Sequence, residues 1–383
     1  LLDWGLRLTI MLTLPAALTE ALLTRVPAAF HGGINDVLLT GLAVAIADWR
    51  RRHDRGGNIG RGSHGVVLDL EGHGREEVIG REEVLGREEV LGREEVLGRE
   101  EVFAEVDLSR TIGWFTSLFP VRLDLGALDL DEALAGGSSL GRALKTIKEQ
   151  LRAVPRKGLG YGLLRYLNSE TAAALAGFAE PQIAFNYLGR FGRFAALGAV
   201  DWELAEDEVR LGGGDAAMPL SHCVEVNALT LEGADGPRLT ANWSWAQALL
   251  TAAEVRDLAQ TWFRALEALV RHAGQAGAGG RSPSDLALVA LTQAEIERLE
   301  SQYPRIEDIL PLSPLQEGLL FHALYDARAP DVYTVQLDLE LVGVLDAAAL
   351  EAALQAVVGR HASLRACFWH EHLGRPVQII VPR

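Results

Sequence analysis

The chain has 383 residues, 49% of them hydrophobic, enough for a substantial core and more than one folding unit. Its formal net charge is −16, which argues against nucleic acid or an anionic membrane as partner. Cys223 and Cys367 are its only cysteines and stand far apart, so a reducing, cytoplasmic setting is the simplest expectation. No apolar run reaches membrane-spanning length: LLTGLAVAIADW is interrupted and too short. Leu1–Leu14 is apolar but does not read as a signal peptide. The chain opens without methionine and stops inside a strand-like run, VQIIVPR, as a piece of a longer polypeptide would.

In chain order, Leu18–Val26 and Asn35–Arg52 read as helices. Asn35 or Asp36 can cap the second, and its cationic end suits the helix dipole. His64–Leu70 and Gly113–Leu125 read as strands, and Ser138–Val154 as an amphipathic helix capped by serine. Ile183–Tyr187, Cys223–Leu231 and Arg238–Trp245 read as strands. Thr251–His272 reads as a long helix, with Thr251 and Glu254 spaced as a capping box. Ala273–Asp285 is a flexible linker by composition. A short helix at Thr292–Ser301 repeats the capping box, and Ser313-Pro314 opens another helix. A strand at Val332–Leu341, a helix at Asp346–Val358 and strands near Leu364–Phe368 and Val377–Val381 complete an α/β pattern.

Between Gly74 and Val102 the pentad GREEV occurs five times with a period of six. Six residues turn a helix by about 600°, which smears the apolar pairs around its surface. As a strand, neighbouring apolar residues point to opposite faces. The segment offers no persuasive core and is expected to be a solvated expansion, 79–102, within one loop.

Val66 to Glu76 reads VVLDLEGHGRE, a half-buried strand ending in Glu71, His73 and Arg75 separated by glycines. Bare glycines let a backbone approach a ligand and turn sharply. A carboxylate at the end of a buried strand is well placed for proton transfer. On these residues alone, Glu71 as a turn cap and Arg75 as a surface ion-pair partner is the favoured reading. His222-Cys223 reads as structural, because adjacent strand residues face opposite ways. His370 and His372 read as surface histidines rather than metal ligands. The Lys157–Gly162 stretch lacks the GK[ST] ending of a phosphate loop.

EGHGRE followed by RTIGWFTSLFPV resembles the epimerization domains of nonribosomal peptide synthetases. Pro155–Gly162 is similar to the family's PxxGxGYG motif, Phe185–Phe191 to FNYLGxF, and Asn35–Leu39 to NDxLL. The matches come in family order across about Leu8 to His272. SPLQEGLLFHAL (Ser313–Leu324) and RHASLRACF (Arg360–Phe368) resemble the opening of a condensation domain from the same synthetases. Arg360 and Arg365 there are expected to be structural.

The resemblance implies α/β lobes of the chloramphenicol-acetyltransferase-like kind. It implies an epimerization C-terminal lobe at 1–272, a linker with a short helix at 273–304, and a truncated condensation domain at 305–383. The catalytic HHxxxDG of the family's other lobe occurs nowhere in the chain. By resemblance Glu71 is one acid/base in L-to-D inversion of a carrier-tethered aminoacyl or peptidyl thioester. His73 and Arg75 would shape the site. Asn186 and Tyr187 would donate to the enolate oxygen or position substrate, Tyr187 lying on the same side as Glu71. No cofactor is expected to bind directly; the substrate arrives on the 4'-phosphopantetheine arm of an upstream carrier protein. The other expected partners are the missing first lobe and downstream condensation and adenylation domains. Gln316-Glu317-Gly318 departs from the AQxRLW-like pattern of L-donor condensation domains and implies a D-selective donor site. Two alternatives stand: a non-catalytic structural or docking fragment, and a condensation-type amide-forming domain throughout.

Overall fold

The structure is a computed structural model that describes residues 6–53, 65–73, 111–192, 220–233, 235–303, 305–325, 335–340 and 342–382. The GREEV repeat and Arg75 lie outside the described residues. The chain divides into two compact units, Leu1–Gly279 and Gly280–Arg383.

The first unit opens with β1 (Arg7–Thr13) and helices α1 (Ala16–Leu23), α2 (Arg25–Phe30) and α3 (Ile34–His53). Strands β2 (Val66–His73) and β3 (Thr116–Leu123) follow, then α4 (Leu130–Leu134), α5 (Ser138–Arg152) and α6 (Ser169–Ala176). Strands β4 (Ile183–Phe191), β5 (Val224–Gly233) and β6 (Gly236–Ala246) lead into α7 (Ala252–Ala273). The strands form one sheet in the order β1-β6-β5-β4-β2-β3. Its centre is parallel, β2 with β4 and β4 with β5, and its flanks are antiparallel.

Strand alternation divides the sheet into two chemically different faces. In register across it, Ile10, Trp243, Val226, Phe185, Leu70 and Phe119 form one apolar row. Residues of α3, α5 and α7 close over that row to make the main core. Trp262 of α7 is its keystone: its indole meets Trp243 and Phe185 edge-on and donates to the Leu38 carbonyl at 3.0 Å. Among the described residues no single helix is long and apolar enough to cross a membrane.

The expected helix cap is met at α7 and differs at α3 and α5. Thr251 and Glu254 make the expected capping box at α7. Asp36, expected as a cap, instead sits inside the first turn of α3. It accepts from Gly33 N at 2.7 Å and pairs with Arg152 at 2.9 Å. At α5 the cap expected from Ser138 is supplied by Glu132, whose carboxylate accepts from Ser139 N at 3.2 Å.

The second unit contains α8 (Gln293–Gln302), β7 (Asp308–Pro311), α9 (Pro314–Tyr325), α10 (Ala347–Arg360), β8 (Ala366–Trp369) and β9 (Val377–Ile380). Its sheet is β7-β9-β8, all antiparallel. Two expectations change here. Residues 280–303, read as part of the linker, join the unit's core through Leu286, Leu291, Ile296 and Leu299, packed with Ile309, Val377 and Ile379. The apolar spacing of α8 decides this over the Gly-rich composition before it. The strand expected at Val332–Leu341 is not formed over the described residues 335–340, where Val335, Leu337 and Leu339 are exposed. Alternation without a partner ladder makes no strand. Arg365 is buried and structural: it binds the Val358 and Val381 carbonyls and the Glu307 carboxylate.

Candidate functional site

The second face of the large sheet, opposite α3, α5 and α7, carries polar residues at the same level as the apolar row. Asn186 pairs in register with Asn227, and Asn227 with Asn242, across β4, β5 and β6. On β2 the residue reaching that level is Glu71. Asn186 Nδ2 donates to Glu71 Oε2 at 2.7 Å. The β2–β4 ladder consists of Asp69 with Ala184 and Leu70 with Phe185. One residue further on, the Glu71–Asn186 hydrogen bond joins the strands where the ladder has ended. Both residues stand toward the carboxyl ends of parallel strands, where open α/β sheets form ligand crevices. Just beyond, the β4–β5 register shifts between Tyr187 and Arg190. Such irregularities re-aim side chains near sites.

Two glycines make room for this arrangement. A Cβ on Gly72, next to Glu71, would meet Ser117 Oγ at 3.2 Å and the Phe119 ring at 3.3 Å. Gly158 lies at φ +82°, and a Cβ there would enter the Phe119 ring. Arg156 and Lys157 precede it at φ 46° and 48°, so three successive residues are left-handed. The PxxGxGYG-like turn therefore closes over β3 and the end of β2 in a strained conformation that only the surrounding contacts maintain.

The sequence matches the family described as Condensation domain over residues 82–285 and 306–383. The chain belongs to the condensation-domain family. A component of the linear gramicidin synthase of Brevibacillus parabrevis is 36% identical over 97% of this condensation-family chain. Bacitracin synthase 3 of Bacillus licheniformis is 31% identical over 95% of it. The chain spans 4% and 5% of those two proteins. Among solved structures, the epimerization domain from the third module of tyrocidine synthetase B is 29% identical, with a TM-score of 0.49, over 70% of this chain and 48% of that one. The α/β architecture read from the motifs stands.

Of the residues singled out by sequence, the fold of this condensation-family chain joins Glu71 and Asn186 and separates Tyr187 from them. Tyr187 is on the same side of β4 as Phe185, packed against the core, and its hydroxyl bonds Thr230 Oγ1 at 2.9 Å. Burial pushes its phenol up. The expectation that it shares a side with Glu71 is corrected by strand alternation: neighbours 186 and 187 face opposite ways. Asn186 gives one amide hydrogen to the carboxylate, and its expected role toward substrate remains a proposal. His73 ends β2 opposite Thr116; its side chain lies outside the described residues.

A charged cluster on the same face was missed in the sequence. His222 Nε2 bonds Asp69 Oδ2 at 2.8 Å, and its Nδ1 is 3.9 Å from Glu225. Glu225 pairs with Arg7 of β1 at 2.9 Å. Burial disfavours the imidazolium, but the hydrogen bond to Asp69 and the nearby Glu225 carboxylate outweigh it and push His222 up to about 9. Cys223 takes no part in this cluster's contacts, and burial pushes its thiol up. The signal for Asp69 was present: it stands two residues before Glu71 and so shares its face. Its partner, 153 residues away, left no local trace. His370 and His372 are exposed, and among the described residues no group of three or more His, Cys, Asp or Glu converges as a metal set.

Proposed function

We propose that the first unit is the C-terminal lobe of an epimerization domain in a modular nonribosomal peptide synthetase, with Glu71 as one of its two acid/base groups. The observation that carries this is the Glu71–Asn186 hydrogen bond at 2.7 Å, set on the polar sheet face. The second unit would begin the next condensation domain. The division proposed from the motifs is 1–272 and 305–383, with residues 280–303 packed as part of the second unit. The substrate is an aminoacyl or peptidyl thioester carried on a 4'-phosphopantetheine arm, in the cytoplasm.

Inversion at Cα requires a proton to leave one face and another to arrive on the opposite one. The thioester delocalises the carbanion as an enolate, but the α-hydrogen remains very weakly acidic, so a positioned base is needed. Glu71 takes the Cα proton, the electron pair enters the enolate, and reprotonation of the other face by the histidine of HHxxxDG gives the inverted centre. Asn186 holds the carboxylate oxygen and so restricts its direction. His73 and Arg75 would shape the entrance. Downstream, D-selective donor use by the condensation unit would draw on the inverted product.

The test joins the chain to a compatible first lobe bearing HHxxxDG and follows loss of α-deuterium from a carrier-bound aminoacyl thioester. The joined protein should exchange, and the chain alone should not. Glu71→Gln should lower exchange by about 10²–10⁴-fold with unchanged folding. Full exchange in that variant removes Glu71 from the reaction. The family match favours a second reading, amide formation throughout. Peptide bond formation without α-exchange by the joined first unit decides for it.

A further inference from the structure

Asn186 is 7% exposed, and its Oδ1 is buried without a hydrogen-bond partner. The orientation of the amide follows from its neighbour: an ionised carboxylate only accepts, so Nδ2 must face Glu71 and Oδ1 must turn away. A buried acceptor left without a donor is destabilising, so its retention asks for a donor from outside the chain.

The geometry limits what that donor is. The two heteroatoms of an amide are about 2.3 Å apart, which places Oδ1 within about 5 Å of Glu71 Oε2. A Cα presenting its hydrogen to Glu71 stands about 3–3.5 Å from the carboxylate oxygen. The nitrogen on that Cα is about 1.5 Å further on, within hydrogen-bond reach of Oδ1. Resting on the thioester reading above, we propose that Asn186 Oδ1 accepts the N–H of the α-nitrogen of the tethered residue. The site then takes residues with an N–H there and rejects those whose acylated nitrogen is alkylated, acylproline included. One side chain thereby fixes two things: the carboxylate through Nδ2 and the rotation of the substrate about its Cα through Oδ1.

The test uses the chain joined to the HHxxxDG-bearing lobe and two inert probes. These are N-acetyl-phenylalanyl pantetheine with an amide in place of the thioester, and its N-methyl counterpart. The wild type should bind the N–H probe at least about tenfold more tightly. Asn186→Ala should bring the ratio close to one. The wild-type Asn186 side-chain amide resonance should also move with the N–H probe and stay with the N-methyl probe, which needs no variant to fold. Equal wild-type affinities, or a preference retained in a folded Asn186→Ala, overturns the assignment and leaves the thioester reading standing. Binding of neither probe by the wild type removes both.

Discussion

The two faces of the six-stranded sheet are made by alternate residues of the same strands, yet they obey different rules. On one face Leu70, Phe185, Val226 and Trp243 meet the helices as a continuous apolar layer. On the other, Glu71, Asn186 and the Asp69–His222 pair make specific polar contacts. Burial on the first face is non-directional and tolerates adjustment of neighbours. The polar face depends on the first: the carboxylate and the amide meet only because Leu70 and Phe185, one residue earlier, are packed in register. The faces should therefore respond differently to substitution, stability on one and chemistry or pH dependence on the other.

The largest expected effect is on the apolar face. Trp262→Ala removes a fully buried indole and its bond to Leu38, and should cost about 3–5 kcal/mol in denaturant unfolding. A loss under 1 kcal/mol would show that the layer repacks and does not define the polar face. The next effect lies in the polar cluster. His222 has a folded value of about 9, above the 6.5 of the unfolded chain. Its stabilising charge is fully present below pH 6.5 and is lost as pH rises toward 9. The wild type should lose about 3 kcal/mol between pH 6 and 9.5 beyond the loss in His222→Gln. Parallel stability curves for the two proteins would remove the imidazolium from this account. A smaller effect belongs to the turn over Gly72. Lys157→Gly relieves a left-handed side chain and should stabilise by about 0.5–1 kcal/mol, read as a higher Tm. A lower Tm there would mean that the lysine side chain makes contacts outweighing the strain.

Legibility in the sequence followed the range of the interactions. The α7 capping box was readable because Thr251 and Glu254 are three residues apart. The core strands β2 and β4 to β6 were readable from apolar alternation. Strand β1 was not: Leu8, Ile10 and Leu12 share the half-buried face, but the apolar Met11 on the exposed face blurs the alternation, and the strand sits on the sheet edge. The side taken by Tyr187 could have been read by the alternation rule applied to His222 and Cys223. The motif's compactness hid it: the four letters FNYL suggest one site, but the pleat divides them between core and polar face.

By itself the sequence determined the α/β class, the family motifs and the presence of Glu71 at a strand end, because periods of two and about 3.6 residues and short motifs are local properties. Only the tertiary structure decided that Asn186 faces Glu71 across 115 residues, that Tyr187 turns into the core, and that Asp69 holds His222. It also decided that the segment after Gly279, which follows a glycine-rich stretch, packs as part of a second core. Those outcomes depend on which strands become neighbours and in what register, and a shift of one residue would move Glu71 and Asn186 to the opposite face.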